Sequence, residues 1–455
     1  MTTIVSFVVV IGILILIHEL GHFFVARWTG VGVERFSIGF GPVLLRWRGK
    51  ETEYCLSAIP MGAYVTRMGE ESPVEGGGGQ AYDPSKAFSL KPLWARFLIV
   101  FAGPGMNFVL AGVIAAIVLG TAGRRVWPPV LGKVAPDGPA ASAGLATGDT
   151  IVAVDDRPVS YWEHVERAVA GAEGRPLRIT VRRDGEERVV TITPRRRTVP
   201  DPIFREPKEV WDIGAGPRAI PQISAVTADS PAARAGLQPG DVVREVAGVP
   251  VYSPEELVEQ IRTRPGQTFP ITVERDGRTF SVMVTPEAVT ERSPAGDETE
   301  IGKIQAGIAT KAVSFEAYDP VRAVWYGIRW TKDTTVITLK GLWKLVVGTI
   351  ERTNIGGPIQ IASMAGQQAR EGLVQLAMFT AVISVNLAIL NLLPIPMLDG
   401  GHLLFFVIEA VLGRPLSLRK REMAQQVGLV LLLALMVFAV YNDLVRIGAL
   451  KLFGG

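Results

Sequence analysis

Cysteine is all but missing: Cys55 stands alone in 455 residues. A single thiol excludes an intramolecular disulfide and any zinc site built from several cysteines. Histidine is nearly as scarce, with four in the chain. The formal net charge is only +3, so no strong basic field exists and nucleic acid is not an expected partner. Charge is also missing locally, since Thr3 to Ile17 carries none. No basic residue precedes that run, which makes it a poor cleavable signal peptide. We read it as a retained transmembrane helix. Hydrophobic residues make up 48% of the chain, which suits a membrane protein with a soluble part.

Against that scarcity, two of the four histidines stand in His18-Glu19-Leu20-Gly21-His22, directly after the uncharged run. On a helix, residues four apart share a face, so both imidazoles can bind one zinc ion. Glu19 lies beside them and can take a proton from a water at the metal. Ionisable residues inside a lipid-length apolar segment are costly and by default functional. The bland alternative is a pair of satisfied structural histidines on a core helix.

Spanning a bilayer takes roughly 20 mostly apolar residues. Four segments qualify: about Thr3 to Ala26, Phe97 to Gly120, Leu373 to Leu398 and Val427 to Val445. The second contains Gly103-Pro104-Gly105-Met106-Asn107, which we read as an interruption tolerated where backbone faces protein. Thr334 to Ile350 carries Lys340 and Lys344 among apolar residues at helical spacing. It reads as an amphipathic helix at the membrane surface, or as a helix of a soluble domain.

Basic residues in short loops set the expected orientation. Arg27 to Arg96 holds nine Lys or Arg, and Arg414, Arg419, Lys420 and Arg421 lie between the third and fourth spans. Both loops should be cytoplasmic, with the N-terminus and Thr121 to Gly372 outside. Arg124 and Arg125 go against the rule, from which long translocated domains are largely exempt. With this topology His18 and Asp399 both fall toward the cytoplasmic side.

Val43 to Trp47 and Glu53 to Leu56 read as paired strands around a polar turn at Arg48 to Glu51. An open strand edge there could hold an extended substrate by strand addition; a plain hairpin fits the composition equally. Glu70 to Ser85, with Gly76 to Gly79, reads as a flexible linker.

The external region repeats itself. Gly138-Pro139-Ala140-Ala141-Ser142-Ala143-Gly144-Leu145-Ala146-Thr147-Gly148-Asp149 returns as Ser230-Pro231-Ala232-Ala233-Arg234-Ala235-Gly236-Leu237-Gln238-Pro239-Gly240-Asp241, at an offset of 236 − 144 = 92 residues. Each copy continues into a β-run, a helix pattern and two strands across an Asp-Gly turn. This resembles the PDZ pattern, a small barrel that binds an extended peptide along a strand edge. The usual Gly-Leu-Gly-Phe loop is absent. Val130-Leu131-Gly132-Lys133 and Ile220-Pro221-Gln222-Ile223 stand near its place. Domains that merely block access are the alternative.

Together these features resemble the site-2 intramembrane zinc metalloproteases. The resemblance rests on His18 to His22, Gly103 to Asn107, the two PDZ-like copies, and Asn386-Leu387-Ala388-Ile389-Leu390-Asn391-Leu392-Leu393-Pro394-Ile395-Pro396-Met397-Leu398-Asp399-Gly400-Gly401-His402. It implies that His18, His22 and Asp399 bind Zn2+ and that Glu19 is the general base. It also implies that Asn386 and Asn391 contact the substrate backbone and that His402 is structural. Gly400 and Gly401 would let the chain turn tightly beside the metal. The implied substrates are single-span membrane proteins already trimmed outside: an anti-sigma factor, and remnant signal peptides as a second class. The implied location is a bacterial inner membrane, with the lipid bilayer as the other partner.

The expected fold is a polytopic α-helical membrane protein with four transmembrane helices, a membrane-associated β-hairpin and two tandem PDZ-like α/β barrels. In the expected division, 1–120 and 373–455 together make the membrane domain. Between them, 126–195 and 213–288 are the PDZ-like copies, and 289–372 is a linker with the surface helix. Two other classes compete with a hydrolase. A membrane-anchored PDZ scaffold with a structural metal would usually show four protein ligands, and no fourth is evident. A metal transporter would often repeat its membrane halves, whereas this chain repeats only its soluble part.

Overall fold

The computed structural model describes residues 2–69, 83–201, 203–204, 206–292, 298–311, 314–348 and 356–446. The Gly76 to Gly79 run lies outside them. The chain forms two compact units, one of Met1–Gly123 with Ala317–Gly455 and the other of Arg124–Glu316.

In the first unit, four helices among the described residues are long and apolar enough to cross a membrane. They are α1 (Thr2–Trp28), α2 (Leu93–Thr121), a helix at Leu373–Leu392 and one at Leu418–Arg446. Between α1 and α2 the strands β1 (Val33–Arg48) and β2 (Glu53–Arg67) pair antiparallel. Arg48 faces Glu53 and Trp47 faces Tyr54 across the turn. Both strands bend, so Phe36 pairs with Tyr54 on one side and Val65 on the other. Phe36 also packs with Phe23 of α1 in a buried cluster that reaches Ile99 and Val100 of α2. The hairpin is therefore anchored on the helix that carries the histidine motif.

Two expectations change here. Gly103 to Asn107 does not interrupt the second span, because α2 runs unbroken through Pro104. Proline removes one backbone donor from the helix interior, and the continuous apolar sequence on both sides carries the helix across it. The segment expected to begin at Thr334 begins at Pro320. There α5 (Pro320–Val347) is capped by Asp319, whose side chain accepts from the Arg322 N–H. (The helices between α2 and α5 are α3, Trp162–Ala172, and α4, Pro254–Arg262.) The residues α5 buries are small: Ala323, Gly327 and Thr331. A Cβ at Gly327 would lie 2.6 Å from the Gly112 carbonyl oxygen of α2. The helix thus packs backbone to backbone along a span, a mode of contact that small residues allow.

After α5 come α6 (Pro358–Glu371), α7 (Leu373–Leu392), α8 (Asp399–Leu412) and α9 (Leu418–Arg446). The third span was expected to run on to Leu398. It stops at Leu392 because Pro394 and Pro396 follow, and Leu393 is already extended (ψ 143°) before the first of them. The buried Asp443 of α9 accepts the Gly357, Ile359 and Gln360 N–H groups and so caps α6.

In the second unit the offset of 92 residues relates structure as well as sequence. One core contains Leu131, Leu145, Ile151, Val154, Val165, Ile179 and Val181. The other contains Ile223, Leu237, Val243, Val246, Leu257, Ile271 and Val273. A buried carboxylate recurs in the same way. Arg183 Nε donates to Asp149 at 2.6 Å and its Nη2 reaches the Gly144 carbonyl at 2.9 Å. Arg275 does the same to Asp241 at 2.6 Å and Gly236 at 2.8 Å. The hydrogen-bonded Arg183 guanidinium holds the Asp149 carboxyl below the usual carboxylate range, against the opposing effect of burial.

The two stretches nearest the missing carboxylate-binding loop are not free edges. Leu131 pairs with Pro217, and Ile223 pairs with Ile308 of the strand Ala306–Thr310. The chain itself occupies those edges, and Ala306–Thr310 is the outer strand of the second copy's sheet.

Candidate metal centre

His18 and His22 lie one turn apart on α1, both buried. Their Nε2 atoms are 3.2 Å apart and the rings meet edge to face at 83°. Asp399 comes from the far end of the sequence as the first residue of α8, where a carboxylate is favoured by the helix dipole. Its Oδ2 is 3.0 Å from His18 Nε2, and its Oδ1 is 3.6 Å from His22 Nε2. Donors about 2.0–2.1 Å from a tetrahedral zinc lie roughly 3.3 Å from one another. All three pairs stand close to that spacing, and two nitrogens with one carboxylate oxygen suit zinc. Among the described residues this is the one group of three such side chains positioned to hold an ion.

Close backbone approach makes the arrangement possible. A Cβ at Gly21 would lie 2.3 Å from the Ala102 carbonyl oxygen, so α1 and α2 touch at that point. At Gly103 a Cβ would lie 2.4 Å from His22 Nε2 and 2.8 Å from His18 Nε2. Glycine at 103 thus leaves room for the two rings. Gly400 and Gly401 act similarly, since each would put a Cβ within 2.4 Å of a carbonyl oxygen of Leu392, Leu393 or Ile395. Their φ angles are ordinary, so packing rather than a left-handed turn requires glycine there.

The remaining sequence candidates separate. Glu19 is half-buried next to His18, and His22, His18, Asp399 and Arg67 are its electrostatic neighbours. Asn386 and Asn391 both lie on α7. Asn386 Oδ1 accepts from Thr338 of α5 at 2.9 Å. Asn391 is half-buried one residue before the end of α7. His402 lies outside the donor cluster, edge-on to Phe405. Glu409 is committed elsewhere, bound by Arg96 at 2.5 and 3.2 Å.

Residue-by-residue reading of the sequence missed three groups. The Ile99 carbonyl accepts from His22 Nδ1 at 2.8 Å, which fixes that proton and leaves Nε2 as the lone-pair atom. Gly103 and the fully buried Asn107 reach the histidines from α2. The Gly103 to Asn107 stretch was visible, but as a supposed break.

The model of peptidase family M50 matches residues 6–435. A protein of Ralstonia nicotianae that bears the name of a zinc metalloprotease is 37% identical, over 98% of this chain and 99% of that one. The regulator of sigma-E protease RseP of Salmonella typhimurium is 34% identical, over 97% of this chain and 98% of its own. That of Escherichia coli is 35% identical over the same shares.

Proposed function

The chain belongs to peptidase family M50 and is a zinc metalloprotease of the site-2 type, and from that premise we propose that it cuts a peptide bond inside the transmembrane segment of single-span membrane proteins. The observation that carries this reading is the trio His18, His22 and Asp399 at metal-ligand separations beside a half-buried carboxylate, Glu19.

His18, His22 and Asp399 would hold zinc, which supplies Lewis-acid polarisation of the scissile carbonyl and of water. Three protein ligands leave a fourth position open, as catalytic zinc needs. Glu19 accepts the proton of the attacking water and returns it to the departing amide nitrogen. Asn386 and Asn391 offer amides to a substrate strand unwound from its helix. A cavity of about 440 Å³, lined by Leu20 and Phe23 of α1 and by Phe36, Leu45 and Tyr54 of the hairpin, lies next to the motif. Leu44, Leu45 and Trp47 near the hairpin tip are largely exposed, which supports insertion of the hairpin into lipid.

As substrate we propose an anti-sigma factor, in keeping with relatives named as regulators of sigma-E, with remnant signal peptides as a second class, in a bacterial inner membrane. The tandem repeat would act as a PDZ-like pair outside the cytoplasm, beside substrates already trimmed there. Charge distribution supports that orientation. A reporter active only in the cytoplasm, fused after Glu287, should be silent, and strong activity would reverse the topology.

The function itself is tested with purified protein and a model single-span peptide. We expect products cut within the apolar segment by mass spectrometry, and no cutting after zinc chelation. Zinc bound tightly with no cleavage of any membrane-embedded peptide would favour a scaffold instead.

A further inference from the structure

Asn107 is fully buried on α2, and its backbone carbonyl accepts from Ser384 of α7 at 2.7 Å. Its Nδ2 lies 3.3 Å from His18 Nδ1, while its Oδ1 is buried with no hydrogen-bond partner among the described residues. A buried acceptor left unpaired is expensive and calls for an explanation. The contact also has a chemical direction. With the amide oriented this way its NH2 can only donate, so His18 Nδ1 accepts and the ring proton belongs on Nε2, facing Asp399 Oδ2 at 3.0 Å.

A metal on His18 Nε2 reverses this. A neutral imidazole has one proton, and with Nε2 ligating it must sit on Nδ1. The NH2 of Asn107 would then confront an N–H, donor against donor. Turning the amide by 180° about its last torsion exchanges oxygen and nitrogen in place. Oδ1 then accepts from Nδ1–H, the donor-against-donor clash is removed, and the NH2 moves to the place that Oδ1 held.

We propose that Asn107 positions His18 for the metal: its amide turns so that Oδ1 receives the Nδ1 proton and Nε2 is presented as a ligand. The two histidines then differ. His22 is fixed permanently by the Ile99 carbonyl, which can only accept. His18 is held by a side chain that serves either tautomer, because an amide is both donor and acceptor. This inference rests on the reading of His18 as a zinc ligand, and Asn107 itself touches neither metal nor substrate.

The test is zinc affinity, measured on the full-length protein in detergent by competition with a coloured chelator. The unfolding temperature of the metal-free form monitors the fold. Asn107→Leu keeps approximate volume and removes both hydrogen-bonding functions. It should weaken zinc about 10–100-fold, the usual range for losing a partner behind a metal ligand. Asn107→Asp keeps an acceptor and lacks the donor, so it should stay well above Asn107→Leu, within about threefold of the unsubstituted protein. Unchanged affinity in Asn107→Leu overturns the proposal. So does Asn107→Asp binding as weakly as Asn107→Leu, because packing or donation would then explain the residue. If Asn107→Leu does not fold, Asn107→Asp decides alone: near-normal affinity supports the proposal and a loss of tenfold or more overturns it. His18→Ala separates the two levels. Full zinc in that variant overturns the ligand reading itself, and the role of Asn107 with it.

Discussion

Asp399→Ala should lose zinc and cleavage together. The carboxylate would supply one of three donors, since its oxygens lie 3.0 and 3.6 Å from the two histidine nitrogens. Among the described residues neither nearby rival is placed to replace it, since Glu409 is bound by Arg96 and His402 lies outside the donor cluster. Affinity should fall by at least about 10³-fold, beyond the 10–100-fold typical of groups that only support a ligand. His402→Ala and Glu409→Ala are the controls. Glu409→Ala leaves Arg96 and Arg421 without their shared carboxylate. The group is only part-buried, so this should cost less than the roughly 3–5 kcal/mol of breaking a fully buried ion pair, while zinc stays. Metal content and peptide cleavage are measured on all three. Full zinc in Asp399→Ala, with loss in either control, would show that the third ligand has been misassigned.

How far this centre can be read from sequence depends on where its information lies. His18 and His22 are legible because four-residue spacing on a helix is local, and an uncharged run announces the helix. Asp399 is 399 − 22 = 377 residues beyond His22, and no periodicity links them. Only the resemblance brought it forward. It was also assigned to the end of the third span, whereas Pro394 and Pro396 end α7 and Asp399 begins a new helix. That difference matters physically, because the carboxylate then sits at a positive helix terminus.

The errors elsewhere have a common source. Hydrophobic patterning reports side chains that seek burial, and several decisive contacts here are made by residues with almost no side chain. Gly103 looked like a helix break and is the place where α2 approaches two imidazole rings. Ala323, Gly327 and Thr331 are what α5 buries, and residues this small add little to a hydrophobic pattern. One signal was available: Asp319-Pro320 is a good cap and first residue for a helix, and it marks the true start. Repeats fare better. An offset read from twelve residues, Asp149 and Asp241 among them, holds for two whole cores and for the arginine partners Arg183 and Arg275 of those aspartates.

Holding the metal and doing the chemistry should separate at Glu19. On the proposed assignment its neighbour His18 and the residue three further on, His22, provide two donors, and Asp399 provides the third. A fourth protein ligand would close the position that a hydrolase must leave open. Glu19 should therefore contribute nothing to zinc retention. A half-buried carboxylate inside a span is nonetheless costly, and proton transfer gives it a purpose. Glu19→Gln preserves shape and hydrogen bonding while removing the base. We expect zinc content equal to that of the unsubstituted protein and a cleavage rate lower by at least about 10²-fold, the low end for general acid–base catalysis. Equal zinc is the informative half, because it excludes collapse of the site as the cause of lost activity. A variant that loses zinc would make Glu19 a ligand or a structural support. A variant that keeps zinc and cleaves at the normal rate would remove Glu19 as the base, and with it this mechanism of hydrolysis.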